Sequence, residues 1–506
     1  MFLFRLLLCL LVGFFLGLTN LYLALRLGFV YGVAILAAFT WAGLTAVLRR
    51  LPGGQPLSMA DTACYLSLAS AMSFGCGTVI ATSLSALLMS QEAHPSPLLL
   101  TLWVAAICGL GTCLALPLRQ RLLTRLPFPS GQVASATVQR LAHDQPGLKP
   151  FWWGLAGVWL WVGLRDLAQV IPQRLFARTE VIFLHASPMM LGLGALLGPQ
   201  VCIGMLTGAT FFFVIVPAQG GQAAVNAVPW FAVGVLVSAG LLDFTQSLRG
   251  LSKDTGGPTT SRKHWPVTAA CALFLGVVHL LAFGFSWAHL LILVLAAWPF
   301  ALIACRITGE TDVVPTGALG KLALLCFGIL RPAETGSLLA ATGVLTGASA
   351  SSADFMTDLR CGGDLGCPPR RQFRYQLAGA LLGPLLFVPV LFHLIVDHPL
   401  GGDMFPAPAA QIWLEVAHMM VDGSGGNGTV FGAGLLFGAV VFAVKHRFPR
   451  FPGAVPFAMA AFLDWGTTAT LALGALLPRL IPVLRNHALC CALIAAESVA
   501  VLLLLL

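Results

Sequence analysis

Unbroken apolar runs of about 20 residues recur along the whole chain, separated by short polar loops. One example is "HLLILVLAAWPFALIAC", from His289 to Cys305. Only 9% of the residues are charged, whereas soluble domains carry about 25%. In lipid the backbone must form helices or a closed barrel, and barrel strands would be alternating segments of about ten residues. The sequence therefore predicts an all-α polytopic integral membrane protein.

The apolar runs predict about sixteen membrane-spanning helices and leave no room for an inserted soluble domain. The net charge of +9 comes from basic residues in short loops, as the positive-inside rule requires of a multi-pass membrane protein. We therefore expect a lipid bilayer as partner and no nucleic acid. The basic loops lie at 49–50, 119–125, 249–263, 360–374 and 445–450.

The thirteen cysteines are scattered, mostly within apolar runs, and they form no C-x-x-C pair. Buried cysteines in helices usually act as small apolar packing residues. We therefore expect neither a bound metal nor a cofactor.

Three stretches recur in the same order in the two halves of the chain. "LPFPSGQVASATVQRL" (Leu126 to Leu141) resembles "FPAPAAQIWLEVAHMM" (Phe405 to Met420). "ALRLG" from Ala24 resembles "ACRITG" from Ala304, and "SPMMLGLGALLG" resembles "VPFAMAAFLDWG". Internal duplication of this kind is typical of membrane transporters.

The duplication predicts a first transmembrane repeat at 1–247, a linker loop with an extra span at 248–287, and a second repeat at 288–506. The loop after the fourth span is basic in the first copy, but its counterpart at 397–410 has no Lys or Arg. This difference favours repeats that are inverted relative to the membrane.

The stretch "RITGETDVVPTGALGKLALLCFGIL", from Arg306 to Leu330, places Glu310 and Asp312 between apolar runs. A carboxylate at the centre of a membrane helix costs about 2.5–3.5 kcal/mol, so it persists where it has a partner or lines a pathway. Thr308 and Gly309 would end one helix, and Asp312 would cap the next. Glu310 and Asp312 are candidates for proton coupling or substrate binding; the alternative is pairing with Arg306 or a place in a surface loop.

Two prolines precede each of the helix starts at Ser130–Gln132 and Ala409–Gln411. The free N–H groups of a helix start suit a substrate carboxylate, and Gln132 and Gln411 add donors and acceptors. The alternative is an ordinary loop-to-helix transition at the membrane surface. Further candidates for substrate binding or proton coupling lie within apolar runs or at their ends: Arg26, Asn20, Asp354 and Asp358.

Several of these stretches resemble the oligopeptide transporter (OPT) superfamily, and most closely its prokaryotic members related to the yellow-stripe-like branch. The similar stretches are "NLYLALRLGFVYGVAILAA", "RLPFPSGQVAS", "ITGETDVVPTGALGKLALLCFG" and "FMTDLRCGGDLGCPPRRQF". The resemblance implies about sixteen helices, a bacterial inner (plasma) membrane as location, and proton-coupled uptake of small peptides or metal–chelator complexes. Where relatives commonly have D-L-K-T-G, this chain has "DLRCG" from Asp358, and it lacks the N-P-G motif of fungal and plant peptide transporters.

We therefore predict a secondary active, proton-coupled transporter of small oligopeptides, with metal–chelator complexes as the alternative substrate. An integral membrane enzyme acting on lipid-linked substrates and a passive channel are the alternatives from other classes. No Walker A, H-E-x-x-H or G-x-S-x-G motif is present, which argues against ATP-driven transport and proteolysis. Whether the chains form a homo-oligomer is left open.

Overall fold

The computed structural model describes residues 2–28, 30, 34, 36–41, 58–90, 94–143, 149–176, 179, 181–251, 265–284, 287–311, 314–330, 334–422 and 428–505. All structural statements below concern these residues.

Helices account for nearly all of the described elements. In the first half of the chain they are α1 (Phe2–Leu27), α2 (Met59–Met89, with a π turn at Ile80–Leu84), α3 (Pro97–Leu123), α4 (Pro129–His143), α5 (Lys149–Val162), α6 (Pro188–Leu197), α7 (Pro199–Thr210) and α8 (Val216–Leu251). In the second half they are α9 (Trp265–Phe283), α10 (Trp287–Thr311), α11 (Thr316–Leu330), α12 (Thr335–Asp364), α13 (Pro369–Asp397), α14 (Pro408–Asp422), α15 (Gly428–Arg447), α16 (Ala454–Met459), α17 (Trp465–Leu480) and α18 (His487–Leu505).

The described strands are short. Strands β1 (Arg174–Leu175) and β2 (Leu184–His185) pair antiparallel between α5 and α6. Among the described residues, nine helices are long and apolar enough to cross a membrane, and three shorter apolar helices accompany them. The all-α polytopic membrane fold predicted from the sequence is therefore confirmed, while the count of about sixteen spans stays a prediction.

Several helices are broken by proline and glycine, as the sequence predicted. Helix α6 begins after Ser187, whose side chain accepts a hydrogen bond from the Met190 N–H, and ends at Gly198 with φ 82°. Helix α10 ends at Thr311 and α11 begins at Thr316. One helix therefore ends and the next begins within the predicted stretch from Arg306 to Leu330. In lipid such breaks leave backbone groups that need other partners.

The helices divide into two compact units. The first contains residues 1–146 and 246–413, and the second contains residues 147–245 and 414–506. Each unit thus takes one segment from each predicted repeat. The predicted repeat boundaries themselves stay a prediction.

Close helix crossings hold the first unit together. Helix α2 packs against α12 and α13, and α3 packs against α12. The crossings are close because small residues lie at them: a Cβ added to Gly111 of α3 would overlap the backbone oxygen of Ala348, and one added to Gly379 of α13 would overlap that of Leu68. Small residues are the usual way for membrane helices to approach closely.

We predict that Gly111→Ala lowers the thermal stability of the protein in detergent. The added methyl group meets backbone rather than a movable side chain, and overpacking of this kind costs about 1–3 kcal/mol. Gly157→Ala in α5 is the matched control, because a Cβ there meets nothing within 4 Å. Thermal unfolding followed by intrinsic fluorescence measures both. Equal midpoints for the two variants would contradict the packing described here.

Candidate functional site

A cluster of buried polar side chains lies where α2, α12 and α13 meet in the first unit. All of its members are less than a tenth exposed. It contains two carboxylates, Asp354 and Asp358, which stand one helical turn apart on the same face of α12. We call this group the acidic cluster: Ser67, Ser70, Asp354, Asp358, Gln372 and Gln376.

Neutral donors hold the first carboxylate. The Ser70 hydroxyl donates to Oδ1 of Asp354 over 3.2 Å, and the Gln376 amide nitrogen donates to Oδ2 over 3.2 Å. Within the described part of the chain, no Lys, Arg or His forms an ion pair with Asp354 or Asp358. The charge of these carboxylates is therefore not balanced by a described cation.

One oxygen of the second carboxylate, that of Asp358, accepts no described hydrogen bond. Oδ2 of Asp358 is buried and has no hydrogen-bond partner among the described residues, and the same holds for the amide oxygens of Gln372 and Gln376. The Gln372 amide nitrogen is already used, since it donates to the Ser67 hydroxyl over 2.7 Å and to the Asp358 carbonyl over 2.6 Å. The unused groups are therefore acceptors, which suits a proton or another cation.

The acidic cluster lies well inside the bundle. Asp354 is about 15 Å along the helix axis from Asp364, the last residue of α12, at the usual rise per residue. Nearer to this end, Arg371 of α13 forms an ion pair with Asp61 of α2. This end of the bundle carries Arg360, Arg370, Arg371 and Arg374, so the positive-inside rule predicts that it faces the cytoplasm. An unneutralised carboxylate at this depth is costly, so its presence points to function.

Two further junctions contain most of the other residues predicted from the sequence. In each, a residue between two prolines has a positive φ, which is 47° for Phe128 and 46° for Ala407. The Phe128 N–H donates to the Gly309 carbonyl over 3.0 Å, and the Ala407 N–H donates to the Leu25 carbonyl over 2.8 Å. Each helix start is thus fixed to the end of a helix from the other predicted repeat.

At the junction of α1 with α14, Arg26 donates to the carbonyls of Asp403 and Met404 and so holds the loop before α14. The Gln411 amide donates to the Pro406 carbonyl over 2.6 Å. Asn20 is fully buried in α1. The side chains of Arg26 and Gln411 therefore contact backbone carbonyls here, and their predicted roles toward a substrate stay predictions.

At the junction of α10 with α4, Ser130 and Gln132 are half-buried in the first turns of α4, and Arg306 is half-buried in α10. A Cβ on Gly131 would overlap the Thr357 carbonyl, so this helix start lies against α12 next to Asp358. Glu310 is in the last turn of α10 with its side chain outside the described part, and Asp312 lies outside the described residues.

Four members of the acidic cluster were not predicted from the sequence. Ser67 and Ser70, at i and i+3, and Gln372 and Gln376, at i and i+4, were not singled out. Each pair has the spacing that places two side chains on one helix face, as does the pair of aspartates. Polar pairs at helical spacing within apolar runs were the signal that could have found them.

A buried carboxylate in the second unit differs, because its partners are all present. Both oxygens of Glu497 in α18 are bonded: Oε1 accepts from Arg165 over 2.6 Å, and Oε2 accepts from the Ser187 hydroxyl and the Met189 N–H. Arg165 also donates to the Ala186 carbonyl over 2.7 Å. This ion pair is fully satisfied and holds the start of α6.

Comparison with known proteins identifies one family. The model of the family described as OPT oligopeptide transporter protein matches residues 4–247 and 263–506. A Saccharomyces cerevisiae protein with a provisional name as an oligopeptide transporter is 33% identical over 150 residues, which is 28% of this chain and 20% of that protein. An Oryza sativa subsp. japonica protein with a provisional name as a metal-nicotianamine transporter is 30% identical over 128 residues, 24% of this chain and 18% of that protein. The matched parts thus span about a fifth of either relative.

The two kinds of buried carboxylate should respond differently to neutralisation. We predict that Glu497→Gln destabilises the protein by about 1.5–3 kcal/mol, because it removes the charged acceptor of a buried hydrogen bond from Arg165, which keeps its ion pair with Asp166. Asp358→Asn should leave the unfolding midpoint unchanged or raise it, because it removes a carboxylate with no described ion-pair partner. Thermal unfolding in detergent compares them. If Asp358→Asn lost much stability and Glu497→Gln did not, the acidic cluster would have a structural role instead.

Proposed function

Because the chain belongs to the OPT oligopeptide transporter family, we propose that it imports a small peptide across a bacterial inner membrane together with protons, which Asp354 and Asp358 carry. Membership of a transporter family sets aside the alternative of a membrane enzyme. The observation that carries the proposal is the pair of buried carboxylates surrounded by neutral partners and unused acceptors.

A proton is the coupling ion that this environment accommodates best. A protonated carboxyl group is neutral and can remain buried at little cost, whereas the ionised form is costly without a cation. The protonated group also gains a donor, and the amide oxygens of Gln372 and Gln376 are acceptors without a described partner. Protonation would thus add a donor to a cluster whose unused groups are all acceptors.

Alternating access would come from two inverted repeats. Counted back from the similar starts of α4 and α14, α2 corresponds to α12, and these helices pack antiparallel: Ser70 bonds Asp354, Gly75 faces Ser351 and Ser83 faces Gly343. Equivalent helices that run antiparallel require a two-fold axis perpendicular to them, which lies in the membrane plane if they cross the membrane. The junctions at Phe128 and Ala407, each of which joins a helix start of one repeat to a helix end of the other, follow the same symmetry. These contacts support the inverted arrangement.

Metal–chelator complexes are the second candidate substrate. The match to the rice relative favours them, because that protein's name assigns it a metal-nicotianamine complex. The match to the yeast relative favours peptides. Both substrates are small amino-acid-derived molecules with carboxylates and amines, so one assay can offer both.

We predict that proteoliposomes with an inward proton gradient accumulate a small peptide above the external level. The assay offers di- to hexapeptides together with iron- and nickel-loaded chelators, and mass spectrometry measures which of them are inside the vesicles. A protonophore should abolish accumulation. Accumulation of chelates without peptides would make metal–chelator complexes, rather than peptides, the substrate. No accumulation of either by folded protein would overturn the proposed function.

We predict that Asp354→Asn and Asp358→Asn abolish accumulation above the external level but retain exchange of labelled for unlabelled substrate. A permanently neutral side chain mimics the protonated state. Substrate can then still cross the membrane, but the proton gradient no longer drives its accumulation. Asp397→Asn is the matched control, because Asp397 is an exposed aspartate at the end of α13. Gradient-driven accumulation that survives both cluster variants would contradict the assignment of the proton site.

A further inference from the structure

Three successive contacts join α2 to the α12–α13 region between the basic end of the bundle and the acidic cluster. The outermost is the ion pair of Asp61 with Arg371. The innermost is the hydrogen bond from the Gln372 amide to Ser67. Between them, the sulfur atoms of Cys64 and Cys367 lie 3.3 Å apart.

The two cysteines belong to elements of different kinds. Cys64 is fully buried in the second turn of α2, and Cys367 is nearly buried in the four-residue loop 365–368 between α12 and α13. Exposed Gly366 and Pro368 flank Cys367 in that loop, and Gly366 has φ 72°. Because Cys367 is only 4% exposed, an oxidant reaches its sulfur only if this short loop moves.

The surroundings favour thiolate chemistry at Cys367. The hydrogen bond with Cys64 and the nearby charge of Arg371 hold the pKa of the Cys367 thiol below its ordinary value, against the effect of burial. The thiolate is the form that attacks disulfides. A second close pair, Cys113 of α3 and Cys271 of α9, has its sulfur atoms 3.6 Å apart within apolar helices.

We propose that Cys64 and Cys367 form a redox-active dithiol, which low-molecular-weight disulfides oxidise to a reversible disulfide that fastens α2 to the α12–α13 loop. From the sequence, both were expected to be small packing residues. The loop is on the side predicted to be cytoplasmic, where thiols are normally reduced and disulfides are transient. The bond would therefore form under oxidising conditions and be broken afterwards.

The exchange proceeds in two balanced steps. The Cys367 thiolate attacks one sulfur of the small disulfide, which forms a mixed disulfide and releases one small thiolate. Cys64 loses its proton to that thiolate or to water and then attacks the Cys367 sulfur, which releases the second small thiolate. This thiolate takes up the proton that Cys367 gave to the solvent. Two protein thiols are oxidised to one disulfide, and one small disulfide is reduced to two thiols.

The consequence for transport rests on the proposed function. Helix α2 carries Ser67 and Ser70, whose hydroxyl groups bond Gln372 and Asp354. A covalent bond at Cys64 keeps that part of α2 against α12 and α13. If the transport cycle separates these helices to let protons reach or leave Asp354, the disulfide stops the cycle.

The test treats full-length protein in proteoliposomes with oxidised glutathione, blocks remaining thiols with N-ethylmaleimide, and maps the peptides by mass spectrometry without reduction. We expect the peptides containing Cys64 and Cys367 to be joined. Gradient-driven uptake should fall to background and return after dithiothreitol. Cys64→Ser should keep full uptake under the oxidant, whereas the matched Cys113→Ser should still be inhibited.

Each result decides the inference. If the two peptides are not joined under the oxidant, the dithiol is refuted; if they are joined and uptake is unchanged, the proposed control of transport is refuted. If reduced protein shows no uptake, the proposed function fails, but the dithiol is still decided by the peptide map. In that case the unfolding midpoint gives a second reading, which the cross-link should raise because it restrains the unfolded chain.

Discussion

Keeping two carboxylates inside a membrane bundle is the constraint on which the rest of the first unit depends. Asp354 is held by a hydroxyl and an amide rather than by a described cation, and Asp358 keeps an oxygen without a described partner. Such an arrangement is costly for a charged group and nearly free for a protonated one. The glycine-rich crossings that bring α2, α12 and α13 together are therefore also what lets these groups meet.

The contrast with Glu497 shows why burial alone does not identify a functional acid. Glu497 is as buried as Asp358, yet both its oxygens are bonded and it forms an ion pair with Arg165, which also pairs with Asp166. A satisfied ion pair anchors a helix start, whereas an unsatisfied acid can change its protonation state. The number and kind of partners, rather than depth, separates the two.

The sequence predicted the fold class well, because apolar length and charge distribution follow directly from the bilayer. It also found the breaks at Phe128 and Ala407, since proline pairs restrict the backbone wherever they occur. For the site, the sequence favoured Glu310 and Asp312 over Asp354 and Asp358, and the roles of all four stay predictions; Ser70 and Gln376 were not singled out. Those contacts join residues far apart in the chain, so no local pattern shows that they meet.

The central claim is that Asp354 and Asp358 gain and lose protons in the transport cycle. Infrared difference spectroscopy of the membrane-embedded protein, titrated with pH, measures this most directly through the carbonyl band of a protonated carboxyl group. We expect a band that vanishes as pH rises and that is lost in Asp354→Asn and Asp358→Asn combined, while Asp397→Asn leaves it unchanged. A titrating band that persists without both aspartates would contradict the account.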